Sequence, residues 1–135
     1  MSEERSGYAI SAGTELGFAK AVARVREELG REGFGVLCEI DVQATLKQKL
    51  GVDRDPCLIL GACNPVLAHR ALEAEPELGV LLPCNVIVDE HQGHAYIAAV
   101  DAERTLSIVD SEQLTPIAAE VRQQLSAVVE RSAQR

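Results

Sequence analysis

The sequence predicts an α+β two-layer sandwich, a mainly antiparallel sheet with helices packed on one face. Three observations predict it. Amphipathic helical periodicity stands near both ends, segments with a hairpin signal lie between them, and the connections are short. A doubly wound sheet would need strict alternation of strand and helix. The 135 residues, 47% apolar and 25% charged, fit a single domain over 1–135. A chain of this length needs neither a disulfide nor a metal merely to fold.

Residues 7–11 form a short small-residue segment that reads as a first strand, with Gly13 and Thr14 turning the chain toward a helix. Over 15–31, Phe18, Val22, Val25 and Leu29 recur at helical spacing, while Lys20, Arg24, Glu27, Glu28 and Arg31 take the remaining faces. Gly30 and Gly33 bracket the end of that helix. Residues 34–41 then alternate with period two, which places Phe34, Val36, Cys38 and Ile40 on one face, taken as the core side. Asp41 caps a short helix carrying Val42, Leu46 and Leu50, and Gly51 stops it.

After a loop over 52–56, the nearly continuous apolar run 57–63 predicts an interior strand covered on both sides. Asn64-Pro65 reads as an N-cap followed by proline at the first helical position, where no N–H is needed, and the helix runs to about Ala74. Pro76 and Gly79 end the connection. Residues 80–90 read as a long strand interrupted by Pro83, which implies an edge or a bulge. Glu90-His91-Gln92-Gly93 is a hairpin turn into a strand over 94–100. Residues 101–109 fit either a capped helix or a strand. Leu114, Ile117, Val121, Leu125 and Val128 line one face of a closing helix over 114–130.

Subtracting 21 acidic from 13 basic side chains leaves a net charge of −8, and the aromatic residues are Tyr8, Phe18, Phe34 and Tyr96. Phosphate binding needs lysine and arginine to displace counterions, and bases stack on aromatic rings, so nucleic acid is not an expected partner. An anionic membrane surface is disfavoured by the same charge. The acidic start, residues 1–5, lacks the basic region of a signal peptide, and no apolar run approaches the roughly 18 residues of a membrane span. A cytoplasmic location is the expectation. Cys38, Cys57, Cys63 and Cys84 are then read as thiols; none forms C-x-x-C.

The sharpest chemical feature is Gly61-Ala62-Cys63-Asn64-Pro65, a cysteine where a buried strand meets a capped helix start. Helix N-terminal N–H groups stabilise nearby negative charge, which favours a thiolate there. The opposing reading is an inert core cysteine, because this residue type packs as a small hydrophobe. Leu82-Pro83-Cys84-Asn85 offers a second cysteine followed by asparagine. If the two strands are neighbours, Cys63 and Cys84 converge, as a disulfide or a shared ligand requires. Two thiols alone leave a zinc or copper site incomplete, so a metal at Cys63 and Cys84 is an alternative that needs a third ligand. His91 and His94 flank a turn, and His69, Lys47 and Lys49 read as surface residues. Glu39 and Asp41 point outward, toward solvent or a groove. Cys38 and Cys57 fit their strands as packing residues. Phosphate-loop, dinucleotide and serine-hydrolase signatures are absent, and no cofactor is indicated.

Thr45-Leu46-Lys47-Gln48-Lys49-Leu50-Gly51, Ile59-Leu60-Gly61-Ala62-Cys63-Asn64-Pro65 and Gly79-Val80-Leu81-Leu82-Pro83-Cys84-Asn85-Val86 together resemble the domain of unknown function 302 family, over roughly 7–132. The resemblance implies a TATA-binding-protein-like arrangement, β-α-β4-α, and a homodimer. It matches Cys63, Asn64, Pro65, Pro83, Cys84 and Asn85, and it names no activity. The chain departs from the family where members often carry a proline, near Ala102-Glu103, and Cys38 and Cys57 have no counterpart motif. Likeness to a DNA-binding fold transfers no function.

Two functions compete. In the first, Cys63 and Cys84, with polar contacts from Asn64 and Asn85, bind a small molecule or a sulfur species. In the second, the cysteines only pack and a non-catalytic dimer acts through its surface. A metal-dependent enzyme is a third.

Overall fold

The structure is a computed structural model that describes residues 6–134. The acidic start, residues 1–5, lies outside them. In chain order the elements are β1 (Ala9–Thr14), α1 (Phe18–Arg31), β2 (Gly35–Asp41), α2 (Val42–Leu50), β3 (Cys57–Cys63), α3 (Pro65–Ala74), a 3-10 turn (Pro76–Leu81), β4 (Cys84–His91), β5 (His94–Val100), α4 (Ala102–Leu106), a second 3-10 turn (Ser107–Val109) and α5 (Leu114–Ala133). The strands form one antiparallel sheet in the order β1-β5-β4-β3-β2. The predicted α+β sandwich is the observed one. Leu60, Val86, Val88, Ile97 and Ala99 meet Val25 and Leu29 of α1 and Leu125, Val128 and Val129 of α5 in the core between sheet and helices.

The local signals act largely as expected. Asp41 accepts a hydrogen bond from the Ala44 N–H at 2.9 Å, and Gly51 ends α2 with φ +71°. Asn64 and Pro65 open α3, and Gln92 and Gly93, both at positive φ, close a two-residue hairpin on the pair His91 and His94. Buried Asp101 settles 101–109 as helical: its carboxylate accepts from the Glu103 and Arg104 N–H groups and pairs with Arg122 of α5 at 3.1 Å. Thr14 stays in β1 instead of turning; its hydroxyl donates to the Ala133 carbonyl and accepts from the Leu16 N–H.

Four expectations are corrected. An extra residue at Leu37 bulges β2, so Val36 lies opposite Ala62 on the helix side while Cys38 and Ile40 lie opposite Gly61 and Ile59 on the open side. Cys38 and Ile40 are exposed, not core. β3 is interior to the sheet but covered on one face only, and Ile59 is half-buried. The strand read from Val80 begins at Cys84, because Pro76–Leu81 coils into a 3-10 turn and Pro83, joined to Leu82 by a cis peptide, precedes the ladder. Glu28 is buried, with its carboxylate 3.1 Å from Arg31 and 3.8 Å from both Arg24 and Arg131, linking α1 to α5.

Candidate functional site

β3 and β4 pair with Ala62 opposite Cys84, so the last residue of β3, Cys63, and the first of β4 stand diagonally beside one another at the same end of the sheet. All four cysteines are free. Cys63 and Cys84 border one cavity of about 310 Å³, walled by Phe34, Leu67 and Ala71, by Leu82 and Pro83, and by Ile117 and Val121 of α5. Its accessible lining is almost wholly carbon. The two strands are neighbours, as the sequence expectation required; by alternation Cys63 follows Ile59 and Gly61, while Cys84 shares the side of Ala62.

Cys84 lies on the helix-facing side of the sheet, packed against the core. Burial pushes its thiol up to about 11, and the neighbouring charge of Cys63 adds to the shift. It is a neutral thiol at neutral pH. Cys84 also borders a second cavity, of about 320 Å³, which shares Leu82, Pro83 and Leu106 with the first and extends under Tyr8, Ile87 and Val100. The segment from Leu82 to Cys84 is therefore the common wall of two cavities.

The two asparagines part company. Asn64 borders the first cavity, but its side chain is committed to the scaffold: Oδ1 accepts from the Leu67 N–H at 3.3 Å and Nδ2 donates to Gln124 Oε1 at 3.1 Å. Asn85 is exposed, borders the second cavity and does not join Cys63.

Other candidates fall into structural roles. Glu39 pairs with Arg26 of α1, Asp41 caps α2, and Lys47 pairs with Asp53 at 2.8 Å. His69 sits 3.7 Å from Glu73 on the exposed side of α3, and His91 and His94 are exposed at the hairpin. Burial also raises the Cys57 thiol, opposed by Arg54 and reinforced by Asp89 and Asp41. Among the described residues no group of three or more His, Cys, Asp or Glu could hold a metal ion.

Sequence reasoning overlooked Ala68, Ala71 and Gly79, which also line the first cavity. Their signal is size. Small residues on the inner face of α3 and in the following turn leave unfilled the space that larger side chains would occupy.

No curated protein matches the chain. Among solved structures it is similar to the crystal structure of an uncharacterized conserved DUF302 protein from Bacillus stearothermophilus, at 30% identity and a TM-score of 0.88, covering 94% of this chain and 99% of that one. The family model described as Domain of unknown function DUF302 matches residues 10–132. With the family model matching residues 10–132 and a solved DUF302 structure matching over 94% of its length, the chain belongs to the DUF302 family.

Proposed function

We propose that this protein is a cytoplasmic small-ligand or thiol-reactive binding module whose site is the cavity bordered by Cys63 and Cys84. The supporting observation is that two thiols from separate strands border one apolar space. Cys63, next to the capped start of α3, is the sulfur assigned to react with or contact the ligand, because thiols are both nucleophiles and soft ligands. Cys84, held neutral, is its partner in the wall. Four free thiols favour a reducing compartment, and among the described residues no helix is long and apolar enough to cross a membrane.

Alkylation by N-ethylmaleimide, followed site by site through peptide masses, tests this reading. Ala68→Phe, which enlarges a side chain lining the cavity, is expected to slow labelling of Cys63 by about fivefold while exposed Cys38 keeps its rate. Equal Cys63 rates in the two proteins would overturn it.

A homodimeric interaction module is the second reading, favoured by the open sheet face. Ile40, Ile59, Ile87 and Ala98 form one row across four strands there, and no residue of α2 is buried although Leu46 and Leu50 are apolar. A second copy is the occupant we infer, with Lys49 of α2 meeting the acidic surface of the other copy. Sedimentation equilibrium is expected to give a dimer mass for the native chain and a monomer for Ile87→Asp. A native monomer would remove this reading.

A further inference from the structure

We infer that the occupant of the cavity between Cys63 and Cys84 is an uncharged, carbon-rich compound about the size of two fused aromatic rings, and not an anion or a metal ion. This inference rests on the reading of the cavity as a binding site and narrows its ligand class.

The wall comes from β2, β3, α3, the turn after it, β4, α4 and α5, and it contains no charged side chain. Its one carboxamide, Asn64, already uses its oxygen on Leu67 and an amide hydrogen on Gln124. The Leu67 and Ala68 N–H groups in the first turn of α3 are similarly spent, Leu67 on the Asn64 side chain and Ala68 on the Asn64 carbonyl. An anion entering this space would lose its water and find among these groups at most the second amide hydrogen of Asn64 and two thiols in exchange, inside a chain of net charge −8. A metal ion would find two sulfurs and no third ligand from a His, Asp or Glu of the wall. An apolar guest loses little on entry and gains contact with the apolar walls of the cleft.

Size follows from volume. A dry void of about 150 Å³ accepts benzene. At about 310 Å³, the cavity holds roughly twice that guest. Leu72, partly exposed, and Leu37, largely exposed, border the same space and give its opening an apolar edge. The space is a half-open cleft, and Ala62, Ala68 and Ala71 on its walls leave the room that larger side chains would take from a guest.

The test is a fluorescence titration of the full chain with 1-naphthylamine, uncharged at neutral pH, and with its 8-sulfonate, which share a two-ring carbon skeleton and differ by one negative charge. The amine is expected to saturate a single site and to bind about tenfold more tightly than the sulfonate. Gly79→Leu and Ala68→Phe should each weaken the amine about fivefold with unchanged circular dichroism. A Cβ at Gly79 meets nothing within 4 Å, so that variant is expected to fold. Tighter binding of the sulfonate, of hydrosulfide or of cadmium than of the amine, lost in Cys63→Ser, would overturn the ligand class and leave the site standing. Absence of binding by every probe, or amine binding indifferent to both variants, would overturn class and site together. Amine binding that disappears as the chain self-associates would show a second copy in the cavity and overturn the inference.

Discussion

The sulfur of Cys38 lies against Gly61 on the open face of the sheet, so closely that a Cβ on the glycine would stand 2.6 Å from it and 2.9 Å from Cγ of Pro83. Gly61 thus serves close approach, not a turn. Gly61→Ala should cost about 1–3 kcal/mol, more than the entropy it recovers from the unfolded chain. Adding Cys38→Ala should return only part of the loss, because the proline ring remains in the way. Urea midpoints of the two variants check both statements.

Asp101 joins two functions in one buried carboxylate, capping α4 and pairing with Arg122. Asp101→Ala should lower stability by about 1–3 kcal/mol, through the lost cap and the lost charge-assisted hydrogen bond to Arg122. Asp101→Asn keeps an oxygen for the cap and should cost less. Thermal melting of the pair, with matched circular dichroism, separates the contributions.

The raised thiol of Cys84 sets an alkaline limit. Below its ordinary value near 9 the thiol is neutral in both folded and unfolded chains, and its environment is fully compatible with folding. As pH rises from 9 toward 11 the unfolded chain releases its proton first, so stability falls across that window, by about 2 kcal/mol once partial solvent access is allowed for. Cys84→Ala should flatten the decline without abolishing it, because Cys57 is shifted in the same direction. Denaturation curves at intervals from pH 8 to about 11 provide the measurement.

Asn64 is predicted to be a stability residue before it is a ligand residue. Asn64→Ala removes the cap of α3 and the bond to Gln124 and should cost about 1–2 kcal/mol. Asn64→Asp retains the cap and should recover most of that. Hydrogen exchange at Leu67 and Ala68 would locate the loss.

These sites also show what could be read without coordinates. The caps at Asp41 and Asn64, the stop at Gly51 and the extent of β3 were legible because each is decided by a residue and its near neighbours. The face of Cys38 was not. Phe34, Val36, Leu37, Cys38 and Ile40 are all apolar, so inserting one residue leaves no mark on the pattern while exchanging the faces of everything after it. Val80 and Leu81 look equally strand-like, and the preceding proline wins. The convergence of Cys63 and Cys84 was conditional on two strands being neighbours, which the pairing of β3 with β4 supplies. The cavity escaped because its walls come from α3, α5 and a turn that only the tertiary fold assembles.

The irregularity at Leu37 lies on a border strand of the sheet. A regular border offers a straight template of amide and carbonyl groups to any passing polypeptide, and an inserted residue spoils its register. Growth of the sheet by adding strands on that side is thereby discouraged.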